Sequence, residues 1–284
     1  MRDRHEQSFT TSDGLQLVAD VAGPEDRATV ILLHGGGQTR HSWSNTMDRL
    51  AFAGYRIVNY DARGHGESSW SPTGDYSVPT LAADLAGIRK TLGDRVALVG
   101  ASMGGMTGFF AAGTNDPSFA TALVMVDIAL RPDPAGAAKI RNFMTAHSNG
   151  FASLEEAAEA VADYKGVRRS GDVSGLKKNL RLKDDGRLYW HWDPRFLRIS
   201  PSPEPPSAPA HLESVSQHVT LPTLLVRGGK SDVVTDEVVS EMVRLVPQTE
   251  ICEVSGAAHM VAGDHNDGFN HCVLSFLDRH MPPS

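Results

Sequence analysis

A continuous run, Ala28-Thr29-Val30-Ile31-Leu32-Leu33, and largely apolar stretches at residues 55–60, 95–99, 121–126 and 222–227 mark the chain. Runs of this length, rich in β-branched side chains, predict parallel strands buried on both faces. Residues 8–11 and 15–21 flank Ser12-Asp13-Gly14 and predict an antiparallel hairpin at a sheet edge. Residues 250–254 predict a last strand. Between the strands the apolar period changes to that of amphipathic helices, at 43–53, 80–92, 235–245 and 266–279, with a small-residue helix at 106–113. Pro79 stands near the first turn of the second helix, where its missing N–H matters little. Strands alternating with helices predict an α/β fold: a mostly parallel central sheet with helices on both faces.

Residues 131–220 break this rhythm. They hold Pro132 and Pro134, a helical stretch at 153–165, the aromatic cluster Tyr189-Trp190-His191-Trp192 and a proline-rich run at 201–209. Proline excludes regular helix and sheet from that run, which reads as an extended strap. The expected organisation is a core of residues 1–130 and 221–284 with an inserted helical cap, or lid, at 131–220. No internal repeat is present.

The chemistry gathers where predicted strands end, the rim at which ligands bind sheets of this kind. Val99-Gly100-Ala101-Ser102-Met103-Gly104-Gly105 lies between a strand and a helix. In that setting Gly-x-Ser-x-Gly is a nucleophile elbow. The turn is sharp and strained, and it needs small residues two before and two after the serine. The helix starting at Met103 turns free N–H groups and its positive dipole end toward Ser102. His34-Gly35-Gly36-Gly37 follows the 28–33 strand and reads as an oxyanion loop, anchored by His34.

A serine hydroxyl needs a base, and the base a partner. Of twelve histidines, His259 follows the last strand behind Ser255-Gly256-Ala257-Ala258, small residues that let the ring reach the sheet rim. Asp232, after the penultimate strand, completes the chain order Ser, Asp, His. Asp127, at the end of the strand after the elbow helix, is the alternative acid. The polar segment Asp61-Ala62-Arg63-Gly64-His65-Gly66-Glu67-Ser68 reads as a buried network bracing the loops.

A net charge of −7, with no run of basic residues longer than pairs such as Arg168-Arg169 and Lys177-Lys178, argues against a nucleic-acid partner. No run is long and apolar enough to span a membrane, and residues 1–7 carry no apolar core of a secretory signal. Cys252 and Cys272 read as buried thiols in a reducing cytoplasm. No metal-ligand spacing, phosphate-binding loop or dinucleotide fingerprint is present, so no cofactor is expected.

Taken together, the 34–37, 61–68 and 100–105 motifs, Gly228-Gly229-Lys230-Ser231-Asp232 and Gly256-Ala257-Ala258-His259 resemble the α/β-hydrolase fold family, in its capped serine esterase or lactonase branch. The resemblance covers the core on both sides of the cap. It implies Ser102 as nucleophile, His259 as base and Asp232 as acid, with the N–H groups of Met103 and Gly36 as the oxyanion hole. Some relatives, certain lactonases among them, take the acid from the position of Asp127. Serine at 102 sets the chain apart from relatives with an aspartate nucleophile.

The expected reaction is hydrolysis of a small to medium, largely apolar ester or lactone through an acyl-serine. Gly37, Trp190, Trp192, Phe143 and Met144 are the candidate substrate contacts, with Phe196 beside them. The rivals are carbon–carbon bond hydrolysis of a dienone acid, cofactor-free perhydrolysis, and a small-molecule receptor on the same fold. A monomer and a homodimer both fit.

Overall fold

The computed structural model describes residues 4–166, 173–197, 208–255 and 267–284. The chain opens with a hairpin, β1 (His5–Thr10) and β2 (Gln16–Ala22), in which Phe9 faces Leu17. There follow β3 (Thr29–Leu33), α1 (Ser44–Phe52), β4 (Arg56–Tyr60), α2 (Val78–Arg89), β5 (Val96–Ala101), α3 (Met103–Thr114) and β6 (Ala122–Val126). An excursion then carries α4 (Pro134–Ala146), α5 (Leu154–Lys165), the small hairpin β7 (Leu180–Leu182) and β8 (Leu188–Trp190), and α6 (Ala208–Val215). The core closes with β9 (Thr223–Gly228), α7 (Asp236–Leu245), β10 (Thr249–Val254) and α8 (Asp267–His280).

Eight strands form one sheet in the order β1-β2-β4-β3-β5-β6-β9-β10. The β1–β2 and β2–β4 pairs are antiparallel and the others parallel. Every residue of β3, β4, β5 and β6 is buried, Arg56 and Asn59 of β4 included, as in strands covered on both faces. Alternation along each strand divides the core. Ile31, Leu33, Leu98 and Met125 pack with Leu85 of α2 and Phe109 of α3, whereas Val30, Leu32, Val99 and Val124 pack with Met47 of α1 and Phe276 of α8.

The two cysteines are not free thiols. Cys252 on the edge strand β10 and Cys272 on α8 form a disulfide across 6.2 Å between Cα atoms. This corrects the sequence expectation, and the cysteines give no argument for a reducing compartment. The bond closes a segment with a sequence separation of 20. In the double variant Cys252→Ala/Cys272→Ala, urea unfolding should show a loss of about 3 kcal/mol. An unchanged midpoint would count against the bond.

The excursion has a small core of its own, Phe151, Ala157 and Leu180, with Leu188 and Trp190 packed against it. Its last helix belongs elsewhere. Leu212 and Val215 of α6 join the main core, and Val215 Cβ lies 2.7 Å from where a side chain on Gly113 of α3 would begin. Pro209 stands inside α6, contrary to the expectation that proline excludes helix through 209. It occupies the first turn, where no intrahelical N–H bond is lost. Residues 201–207 of the expected strap lie outside the described residues. No helix among the described residues is long and apolar enough to cross a membrane.

Candidate active site

Ser102 occupies the junction of β5 and α3 at φ 46°, ψ −115°. Positive φ is uncommon for a residue with a side chain and is kept where surrounding structure enforces it. The enforcement here is the packing of β5 against α3. A Cβ on Gly100 would lie 2.4 Å from the Gly104 backbone, and one on Gly104 would lie 2.3 Å from Leu33 O. The amide of Ser102 donates to Val126 O at 3.1 Å, tying the elbow to the end of β6.

The glycine loop after β3 faces this elbow. The side-chain position of Gly35 is 3.5 Å from Ser102 Cβ, and that of Gly36 is 3.9 Å from Met103 Cβ. Gly35 N–H donates to Gln38 Oε1 and Gly37 N–H to His65 Nε2, both at 3.1 Å. The amides of Gly36 and of Met103 have no acceptor among the described residues. Two N–H donors beside a strained serine, one at a helix N-terminus, can hold an oxygen that gains negative charge.

Two buried histidines support the loop. His34 donates from Nδ1 to Gly35 O at 2.8 Å and accepts Ala62 N–H on Nε2 at 3.0 Å. His65 donates from Nδ1 to Arg63 O at 3.2 Å, which leaves Nε2 as the acceptor for Gly37. Burial, with the neighbouring His34 adding to it, pushes the pKa of His65 down to about 3. The His65 ring is therefore a neutral acceptor near neutral pH, and burial lowers the pKa of His34 as well. The rest of the 61–68 segment braces the loops as expected. Asp61 Oδ1 accepts the amide of Arg40 at 2.6 Å and Oδ2 its guanidinium at 2.5 Å, while Arg63 is paired with Asp84.

The candidate substrate contacts separate into two groups. Met144 Cε lies 2.8 Å and Trp192 Nε1 3.6 Å from the side-chain position of Gly37, and the Phe196 ring lies 3.0 Å from that of Gly36. These three cover the glycine loop. Phe143 instead stacks on Tyr164 at 4.3 Å, and Trp190 meets Phe151 edge-on at 5.2 Å, within the excursion's own packing.

The two candidate acids differ sharply. Asp127 follows β6 at φ 49° and is buried. Its Oδ1 accepts Gly228 N–H at 3.0 Å and its Oδ2 the Ser231 hydroxyl at 2.7 Å. Among the described residues, Ser102 and Asp127 are the two non-glycine positions with positive φ. Because Ala101 pairs with Val126, they are also neighbours across adjacent strand ends. Asp232 is half-exposed and accepts from Lys139 Nζ at 2.8 Å. His259 lies outside the described residues.

Two residues near the acids went unnoticed in the sequence. Lys139 of α4 reaches Asp232. Tyr164 of α5 has its phenol pushed up to about 12 by burial and by the charges of Asp232 and Asp127. The signal for Lys139 was its spacing of four from Phe143, which puts both on one helix face. Among the described residues, no group of three or more His, Cys, Asp or Glu side chains is placed to hold a metal ion.

Comparison with known proteins follows the same lines. Residues 28–152 match the family model of the alpha/beta hydrolase fold. An esterase of Mycobacterium tuberculosis is 29% identical over 88% of this chain and 82% of its own length. The sn-1-specific diacylglycerol lipase ABHD11 of Mus musculus is 30% identical over 87% of this chain and 80% of its own. Among solved structures, E-2-(acetamidomethylene)succinate hydrolase superposes with a TM-score of 0.81 at 21% identity, over 97% of this chain and all of that one. Likeness of this extent, running through the sheet and the segment inserted in it, makes the chain a member of the α/β-hydrolase fold family and a hydrolase of that fold.

Proposed function

We propose that the chain is a serine hydrolase that cleaves a carboxylic ester or lactone through an acyl-serine. The observation that carries this reading is the meeting of two amides without acceptors, Gly36 and Met103, beside the strained Ser102. In the proposed cycle His259 takes the Ser102 proton as the hydroxyl oxygen attacks the carbonyl carbon. The carbonyl oxygen gains its charge between the two amides, each contributing about 3 kcal/mol of transition-state stabilisation. His259 passes the proton to the leaving alcohol. It then takes one from a water that attacks the acyl carbon, and returns it to Ser102.

The acid in this reading is Asp127 rather than Asp232. Burial, two hydrogen bonds fixing the carboxylate and a backbone held at positive φ all favour it. The segment from residue 131 onward serves as the cap, with α6 assigned to the core because it packs on α3. Met144, Trp192 and Phe196 form an apolar roof over the glycine loop, which suits a small or medium apolar acyl or alcohol group. The esterase and lipase relatives support ester cleavage. Hydrolysis of a dienone acid would need a cation for the acid's carboxylate, and among the described residues Lys139, beside the acids, is engaged with Asp232.

The test combines labelling with a substrate panel. A fluorophosphonate probe should modify Ser102, located by peptide mass mapping. Among p-nitrophenyl esters of graded chain length, lactones and dienone acids, turnover should fall on esters or lactones. Failure to label Ser102 would remove the nucleophile, and turnover confined to dienone acids would favour the carbon–carbon rival.

A further inference from the structure

The 61–68 segment holds a histidine that the proposed cycle does not use, at the junction of three parts of the molecule. His65 Nε2 accepts the Gly37 amide at 3.1 Å. Its ring packs against Phe196 with centroids 5.0 Å apart and against His34 at 5.1 Å. Its backbone bridges to Trp192, and on either side Gly66 N–H donates to His191 O and Asp193 N–H to Gly64 O, both at 2.8 Å. Asp193 is buried and accepts the Tyr76 hydroxyl at 2.5 Å and Arg195 Nε at 2.9 Å, which holds the following turn and its Phe196 in place.

Resting on the acyl-serine reading above, we propose that His65 is a positioning residue for the oxyanion loop, holding the 36–37 peptide that follows the Gly36 donor and so linking the overlying segment 190–197 to the loop. The argument follows the peptide planes. The 35–36 peptide carries the Gly36 N–H, and its carbonyl, Gly35 O, is held by His34 Nδ1 at 2.8 Å and by Gln38 N–H at 3.1 Å. A trans peptide points its N–H opposite its C=O, so these bonds choose the direction of the donor. They leave the next plane undetermined. The 36–37 peptide can rotate about two glycines, the least restrained positions in a chain. The bond from Gly37 N–H to His65 fixes that plane, and with it the ψ angle of Gly36. Segment 190–197 holds the His65 backbone and packs Phe196 on its ring, so a displacement of that segment reaches the loop through this side chain.

The test compares His65→Gln, whose Oε1 can stand where Nε2 stands, with His65→Met, of similar reach but a weak acceptor. His65→Met should lose kcat roughly ten- to a hundred-fold, less than deletion of a donor outright. Its KM should stay within about threefold, because the loop acts on the charge formed in the transition state. His65→Gln should recover most of kcat. Equal kcat in the Met variant and the parent, or a fall in Gln as deep as in Met, would overturn the proposal.

A measurement on the unmodified protein stands apart from folding of the variants. The imidazole 15N spectrum at neutral pH should show His65 neutral with its proton on Nδ1. A proton on Nε2 would overturn the proposal whatever the variants do. The two readings fail separately. If Ser102 of the parent labels and turns over normally while His65→Met is fully active, only the positioning role is lost. If the parent itself neither labels nor turns over, the acyl-serine reading falls and takes this role with it.

Discussion

Ser102→Ala lowers kcat for a cleavable ester by about 10⁴-fold or more, with the thermal midpoint within a few degrees of the parent. The size follows from the proposed chemistry: without the hydroxyl no acyl-enzyme forms, and only binding and the amides remain to favour attack by water. The stability expectation follows from the backbone. Alanine at φ 46° carries the same strain as serine, and the Ser102 N–H bond to Val126 O uses only main-chain atoms. Ser102→Gly adds a control, since glycine adopts positive φ freely and should unfold about 1 kcal/mol less readily than the alanine variant. Initial rates and urea melts of the three proteins measure both effects. A Ser102→Ala variant with more than a tenth of parental turnover would rule out an acyl-serine.

Asp127→Asn reduces kcat by roughly 10⁴-fold, whereas Asp232→Asn changes it by less than about threefold. An asparagine keeps the shape at 127 and can still accept through one oxygen. It has no negative charge to stabilise an imidazolium, and its amide nitrogen faces one of the donors now bound, Gly228 N–H or the Ser231 hydroxyl. Position 232 is half-exposed, and its pairing with Lys139 is of the kind worth about 1 kcal/mol or less. The reverse result, a crippled Asp232→Asn and an active Asp127→Asn, would return the acid to the loop after β9.

These two carboxylates show where sequence reading stopped. Both follow apolar runs, and chain order admits either. What separates them is a positive φ at Asp127 and a hydroxyl donated from Ser231, 104 residues away. Neither is written in local spacing. The strands were legible because burial on both faces leaves long apolar runs, as at β3 and β6. The elbow was legible because Gly100 and Gly104 are demanded by backbone contacts close in sequence. The disulfide was not, since two cysteines 20 apart say nothing of whether a strand and a helix bring them together.

The roof residues show the same limit at finer scale. Phe143 and Met144 are consecutive on α4, and one residue of helix turns a side chain by about 100°. Met144 therefore meets Gly37 while Phe143 stacks on Tyr164. Aromatic composition alone could not divide Trp190 from Trp192. The segment 61–68 was readable as a brace, yet which peptide His65 restrains became visible only with the loop in place.

Among the described residues, two groups that hold the Asp127 carboxylate, Gly228 N–H and the Ser231 hydroxyl, come from the far side of the long excursion between β6 and β9. Departure and return points are thus stitched together at the carboxylate itself. Whatever the chain builds in between can grow, shrink or be exchanged without loosening those stitches. In the proposed reading, such a layout lets the choice of molecule to be processed drift independently of the parts that process it.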